Sequence, residues 1–425
     1  MLSIVKRARA PRIAASAIAI LLAAFRVASP QAVDSAKGAA VLDSMLRAHS
    51  QPMSLVAGRL VGPGADLIRA EFPGVQFVAI GERHDVADIG LFASAMVREL
   101  AATKRLSAVA VENGSIAMGE VQREARKGTA QLEAFARRYP VALEFAGDAD
   151  IDFYARVVAE LGAKRDVLWG IDQEFGATHV LDLIRSDASD PSIHHSLDSL
   201  RARVAAAESS RFTPTFHWLG LESDPRHLAN LASSARRSGD ARTADLLTAL
   251  QQSAHVYDLY RRATKGELTG LQSNVDREDL MKRAFMTHYR AMQAAGVSTP
   301  VVMLKMGQAH LGRGQGPFGP FTVGNMISEF AMTNGMRSLH IAVLAHNPPV
   351  DSLPSLWKWP ALAPVANAVP QDRWSVLDLR PLRPYARAGR LGPLGADLRR
   401  IIDSYDLLVT VGRAHNTTFR YVGGK

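Results

Sequence analysis

Two short strings in the 425-residue chain share one form: Gly81-Glu82-Arg83-His84 and Gly307-Gln308-Ala309-His310. In each, a glycine permits a sharp turn and close backbone approach, and an imidazole follows three residues later. Each string continues an apolar run, Val75–Ile80 or Val301–Met306. Two further runs lead into acidic clusters: Ala108–Val111 into Glu112-Asn113-Gly114, and Val167–Ile171 into Asp172-Gln173-Glu174. Two imidazoles with Glu82, Glu112 or Asp172 beside them support two chemistries. His84, His310, Glu82 and Glu112 can hold a divalent metal such as Mn, Co or Zn that activates water. Without a metal, one His can serve as general base while a carboxylate orients it. The structural alternative, for either His alone, is an imidazole that satisfies a helix end or a buried carbonyl.

The elements that must position these residues are read from the apolar pattern. The four runs, with Leu339–Leu344 and Leu407–Val411, are short, rich in Val, Ile and Leu, and not alternating. Such runs suit strands buried on both faces of a parallel sheet. Between them lie helical patterns, among them Ile89–Thr103 and Phe153–Gly162. The expected fold is therefore α/β: a central, mainly parallel sheet flanked by helices, in one domain over 33–425. From about 187 to 298 no strand pattern occurs, and Leu197–Ser209, His227–Arg237, Thr243–Arg262 and Asp276–Ala295 read as amphipathic helices, a largely helical insertion. Residues 347–373 hold six prolines and read as an irregular loop that must bury Trp357 and Trp359. In a parallel sheet the strand ends point one way, so the Glu, His and Asp clusters converge on one rim, where ligands bind.

Composition narrows the classes. Hydrophobic residues make up 47% and charged residues 21%, enough apolar material for a core and too much for a disordered chain. The absence of Cys excludes cysteine nucleophiles, thiolate metal sites and disulfides. No Gly-x-Ser-x-Gly elbow and no His-Glu-x-x-His helix is present, which disfavours an ordinary serine esterase and a zincin-type protease. Lys6, Arg7, Arg9 and Arg12 precede an uncharged, mostly apolar stretch, Ile13–Phe25, and small residues follow to about Ala32. This layout predicts a signal peptide over 1–32 and export to the periplasm or beyond. The apolar stretch is short for a membrane span, so no stable span is expected once the leader is removed. Residues 1–32 carry five positive charges, and without them the net charge falls from +9 to +4. A nucleic-acid partner is not supported, and a small-molecule or peptide substrate is expected.

The string Gly81-Glu82-Arg83-His84-Asp85, followed by a helix and Val111-Glu112, resembles the first half of the erythromycin esterase/ChaN/Tiki/TraB superfamily. Lys305-Met306-Gly307-Gln308-Ala309-His310-Leu311-Gly312-Arg313-Gly314 is similar to its second motif, and Arg277-Glu278-Asp279-Leu280-Met281 to the Arg-bearing helix of the esterase branch. The resemblance spans roughly 70–345 and implies one pocket. His84 would be the base or first metal ligand, Glu82 and Glu112 its carboxylate partners, His310 the second essential His, and Arg277 the group steadying a carboxylate or an oxyanion. It also implies hydrolysis of an ester or amide, or, through the ChaN branch, non-catalytic haem or metal binding. The esterase branch usually has Gly after the first His; here Asp85 stands there, so an antibiotic substrate is not carried over.

Weaker signals complete the reading. Asp172-Gln173-Glu174 supplies either another pocket carboxylate or a cap for the next helix. His346-Asn347 before two prolines reads as a structural turn. His194, His195 and His217 read as surface or packing residues. Gly312-x-Gly314-x-Gly316 could cradle an anion.

Overall fold

Among the described residues nine strands run in chain order: β1 (Ser50–Val56), β2 (Arg59–Val61), β3 (Val75–Glu82), β4 (Leu106–Gly114), β5 (Leu168–Asp172), β6 (Val301–Gly307), β7 (Arg337–Leu344), β8 (Trp374–Asp378) and β9 (Leu407–Thr410). They come from a computed structural model describing residues 35–84, 86–143, 147–162, 165–188, 191–208, 225–346 and 359–421. The expected signal peptide, Asp85, His217, Asn347 and Trp357 lie outside the described residues.

The strands form one sheet in the order β2-β1-β8-β9-β7-β3-β6-β4-β5. From β9 to β5 every neighbouring pair is parallel, and β8, β1 and β2 extend the β9 edge in antiparallel fashion. The fold is thus α/β with a mainly parallel sheet, as the apolar runs imply. Every residue of β3 and β6 is buried. Successive side chains of β3 supply two separate cores. Val78 and Ile80 pack with Ile89, Phe92 and Met96, while Phe77 and Ala79 pack with Met281, Phe285 and Tyr289. Each such large side chain contributes about 1.5–3 kcal/mol by leaving water.

The antiparallel edge is not visible as an apolar run. Only Met53 of β1 is buried, the strand contains Pro52, and only Ser375, Val376 and Leu377 of β8 are buried. Such half-solvated strands do not produce the Val/Ile/Leu blocks that betray the centre. The stretch expected to be irregular contains, in its described part, a 3-10 turn at Pro360–Leu362 and a helix at Ala363–Ala368.

Between β5 and β6 every described element is a helix: Thr178–Asp187, Pro191–Ala207, Pro225–Arg237, Ala241–Thr264 and Gly270–Ala294. The first four have their own core, including Val180, Leu181, Val204, Leu247 and Leu250. Gly270–Ala294 behaves differently. Its Met281, Phe285, Tyr289 and Met292 pack directly on β3, β5 and β6, so it is a layer of the main domain as well as the end of the insertion.

Register at the strand ends sets up the site. Glu82 pairs with Gly307 at the ends of β3 and β6. The β4–β5 ladder shifts between Val111 and Gly114, and such an irregularity takes Glu112 and Asn113 out of regular pairing and re-aims them. The shift depends on bare backbone. A Cβ on Gly170 would stand 2.1 Å from the Gly114 carbonyl oxygen, a contact with main chain that no rotamer relieves. Gly170→Ala is therefore expected to destabilise the fold by about 1–3 kcal/mol, read as a lower midpoint in urea unfolding. A midpoint equal to wild type would mean the β4–β5 shift does not rest on this contact.

Candidate active site

Glu112 leaves β4 buried, with each oxygen held. Arg277 Nη2 donates to Oε1 at 2.8 Å, and the Gly307 backbone N–H donates to Oε2 at 2.5 Å. The two imidazoles stand on either side: His84 Nε2 lies 3.6 Å from Oε2 and His310 Nε2 lies 3.5 Å from Oε1. The residues expected at one rim, His84, Glu82, Glu112, His310 and Arg277, do converge. Burial alone would push the Glu112 carboxyl up, but His310, His84, Arg277 and the Gly307 N–H outweigh it and hold it at about 2.

Gly307 is required sterically at this point, not conformationally. Its φ of −51° suits any residue, yet a Cβ would lie 2.9 Å from His84 Nε2 and 3.1 Å from Glu112 Oε2. The missing side chain lets the strand end reach the carboxylate.

Arg277 arrives on the helix Gly270–Ala294 and is itself fixed by Asp172, with Nη2 at 2.5 Å from Oδ2 and Nε at 3.1 Å from Oδ1. This two-point pairing fixes the orientation of the guanidinium. Although burial opposes its charge, Asp172 and Glu112 keep Arg277 ionised well above the usual range. Asp172 therefore belongs to the site. Glu174 does not: its carboxylate accepts from the Ile116 and Ala117 N–H groups and caps the helix Ser115–Lys127.

His84 lies between two carboxylates, its Nδ1 being 3.3 Å from Glu82 Oε1. Burial would lower its pKa, but Glu112 and Glu82 win and raise it above 6.5. Glu82 in turn is anchored by Lys305, whose Nζ lies 2.8 Å from Oε1 and 2.7 Å from Oε2. Lys305 also reaches Asp150 Oδ1 at 2.7 Å. Burial pushes Glu82 up, and the Lys305 and His84 charges more than reverse this.

Sequence reasoning gave no role to Lys305, Asp150 or Glu278. Lys305 interrupts the otherwise apolar β6, and a lone cation in a buried strand requires a buried carboxylate partner. That signal was present. Glu278 gave no comparable signal. Its Oε1 pairs with His310 Nδ1 at 2.5 Å and its Oε2 accepts from the Val323 N–H at 2.8 Å. A carboxylate on Nδ1 assigns the proton to that nitrogen and turns Nε2 toward Glu112.

Three other weak signals, at His346, His194 and the glycine-rich loop, resolve into structure. His346 is buried with Nε2 on the Ala366 carbonyl at 2.9 Å. In the glycine-rich loop, the Gly314 N–H donates to Asn325 Oδ1 and the Gly316 N–H to the Pro320 carbonyl. These two N–H groups hold the loop together and are not aimed at an anion. His194 Nε2 meets the Ala188 carbonyl at 2.9 Å.

The cluster forms the floor of an open cleft of about 580 Å³, walled by Arg83, Pro317, Phe318, Trp359, Asp397 and Arg400. The His84 side chain is 24% exposed and that of His310 only 7%, so His84 presents the more accessible imidazole. Among the described residues no group of three or more His, Asp and Glu is arranged to hold a metal ion. Both oxygens of Glu82 face Lys305, and those of Glu112 face Arg277 and the Gly307 N–H. The expected metal-ligand set thus has its carboxylates already paired with protein donors, and the residues as arranged do not fit a metal.

No family model matches the chain, and no curated protein does. Solved structures do match its fold. A mutant of the erythromycin esterase EreC in its open conformation gives a TM-score of 0.57 at 16% identity, covering 87% of this chain and 98% of that one. A Bacillus cereus protein gives 0.52 at 12% identity, covering 89% and 98%. A succinoglycan biosynthesis protein gives 0.54 at 13% identity, covering 89% and 98%. At these identities the likeness establishes a shared fold, the one the motif resemblance implied.

The paired charges make stability depend on pH in a defined direction. Glu112, lowered from 4.5 to about 2, stabilises the fold above pH 4.5, and this is lost as pH falls through about 2. His84, raised above 6.5, contributes fully below that pH, and its share is lost as pH rises through the raised value. Unfolding followed from pH 7 to 2 should show a steeper acid loss in wild type than in Glu112→Gln. Parallel curves would contradict the placement of this charge.

Proposed function

We propose that this chain is an exported hydrolase that cleaves an ester or amide bond with water as nucleophile, His84 being the general base. The carrying observation is the single carboxylate, Glu112, set between two imidazoles on the floor of an open cleft. The motif resemblance and the fold shared with a protein that bears the name erythromycin esterase support hydrolysis, and esters are the first class to test. The leader-like start of the chain supports export to the periplasm or outside.

In this reading His84 accepts a proton from water in the cleft while Glu82 and Glu112 stabilise the resulting imidazolium. Arg277 stays on Asp172 and Glu112 throughout and keeps the carboxylate ionised and in place. The His84 imidazolium then returns that proton to the leaving oxygen or nitrogen, while His310, oriented by Glu278, stands against the other oxygen of Glu112. Because His84 is raised above 6.5, its basic form grows in as pH rises through that value, so the rate should climb from neutral toward alkaline pH.

The rival is a haem or divalent-metal protein of the ChaN type, or a metal-dependent hydrolase. For a metal, Glu82 and Glu112 would have to give up Lys305, Arg277 and the Gly307 N–H. For haem, an axial His would have to face an apolar slot, whereas both imidazoles face Glu112.

The test is hydrolysis of a panel of esters and anilides by protein purified without added metal, with metal and haem content measured alongside. Wild type should cleave esters with or without chelator, and folded His84→Asn should lose about 10²–10⁴-fold in rate. Activity that survives in His84→Asn would refute the base assignment. Activity abolished by chelator and restored by one metal would favour the metal reading, and a porphyrin spectrum without hydrolysis the haem reading.

A further inference from the structure

Hydrolysis by water needs more than a base. As water adds to a carbonyl, the C=O bonding pair moves onto oxygen, and that charge must meet a donor. The cations of the floor are already committed. Arg277 is held by Asp172 and Glu112, and Lys305 by Glu82 and Asp150. His84 and His310 face Glu112, and the Gly307 N–H donates to it. Trp359 and Arg400 both donate to Asp397, and Arg83 lies over the Trp359 ring. Among the described residues that line the cleft, Gln308 alone carries a donor side chain with no protein partner.

Gln308 follows Gly307, which pairs with Glu82 at the end of β6. A Cβ on Gly307 would lie 2.9 Å from His84 Nε2, so the chain passes the base at this point, and the next Cα is about 3.8 Å farther on. The backbone here is fixed from two sides. The Gly307 N–H binds Glu112, and the Gln308 carbonyl accepts from the Tyr405 hydroxyl at 2.5 Å. Tyr405 reaches it because Gly81 is bare: a Cβ there would stand 2.5 Å from the hydroxyl oxygen. The side chain, by contrast, is uncommitted. Its Oε1 is buried and accepts from no group, and no described group accepts from its Nε2. A carboxamide bonded at neither end turns about its last torsion without losing a hydrogen bond. A buried acceptor without a donor also costs stability, so packing gives no reason for an amide at this position.

We propose that Gln308 is a catalytic residue whose Nε2–H donates to the substrate's carbonyl oxygen as water adds. This role rests on the hydrolase reading and supplies the oxyanion donor that reading lacks. The water oxygen bonds to the carbonyl carbon, His84 takes one water proton, and the C=O pair becomes the charge that Gln308 holds. Collapse re-forms C=O, and the leaving oxygen or nitrogen departs with the proton from His84. An uncharged donor suits this floor, since a free cation so close to Glu82 and Glu112 would pair with them instead. Arg277 then serves the Glu112 carboxylate and not the oxyanion.

The full chain is compared with Gln308→Met, which keeps the length and removes the amide, and Gln308→Asn, which keeps an amide on a shorter stem. The substrate is the fastest-cleaved ester of the panel, phenyl acetate being the first tried. Gln308→Met should lose about 10²–10³-fold in kcat at a nearly unchanged KM, and Gln308→Asn should recover part of the loss. Monophenyl methylphosphonate, a stable tetrahedral anion, should inhibit wild type and bind Gln308→Met at least about tenfold more weakly. The melting temperature should not fall, because no hydrogen bond is removed, and this separates the role from a structural one. If Gln308→Met melts early, Gln308→Ala carries the same comparison. A kcat within about threefold of wild type, a rise in KM alone, or equal inhibition by the phosphonate would overturn the role of Gln308. A wild type that cleaves no ester or anilide would refute the hydrolase reading and this role with it, whereas an active wild type matched by Gln308→Met would refute this role alone.

Discussion

One buried carboxylate organises the strand ends. Glu112 sits where an uncompensated charge would cost several kcal/mol, and the fold compensates it from four directions. The Gly307 N–H approaches from the end of β6, Arg277 from the helix Gly270–Ala294, His84 from beyond β3, and His310 from the short helix after β6. Several local choices follow from that constraint. The β4–β5 ladder must shift to aim Glu112, Gly307 must lack a side chain, and Arg277 must be locked by Asp172 so that its charge stays put.

A second buried pair supports the first. Lys305 holds Glu82, which faces His84, and Asp150 shares the lysine. Asp150 is positioned from far along the chain. It lies near the start of the helix Asp148–Leu161, and the C-terminal segment fastens that start: the Arg420 N–H and the Thr418 hydroxyl both donate to Asp148, while the Arg420 guanidinium pairs with Asp152. The orientation of His84 thus depends on contacts spanning most of the sequence. The helix Gly270–Ala294 plays a double part, since consecutive residues Arg277 and Glu278 reach different partners, Glu112 and His310. Farther along the same buried face as Glu278, Phe285 and Tyr289 pin the helix to the sheet.

How much of this was legible follows from what burial does to sequence. Strands covered on both faces must be apolar throughout, so the parallel centre from β9 to β5 was readable, and with it the convergence of residues just past each strand. The antiparallel edge was not, because β1 satisfies one face with water and mixes Ser, Gln and Pro among its apolar residues. The helix Ser115–Lys127 was missed for another reason. Its N-terminus is capped by Glu174 through a contact across 58 residues, where a local cap would have marked the start. Glu278 was hidden in the same way, since nothing in its neighbourhood points to a histidine 32 residues on. Lys305 was the opposite case, a cation in an apolar strand whose partner could have been sought among Glu82 and its neighbours. Arg83 and Trp359, 276 residues apart, meet only through the fold.

The central claim is that the Glu112 charge sets the protonation of His84. It is tested most directly by following the His84 ring through a pH titration by NMR in wild type and in Glu112→Gln. In wild type His84 should titrate above 6.5, because the Glu112 and Glu82 charges outweigh burial. In the variant its midpoint should fall by about one unit or more, the effect of removing an opposite charge at this range. An unchanged midpoint would show that His84 does not sense Glu112 and would contradict the arrangement on which the proposed chemistry rests.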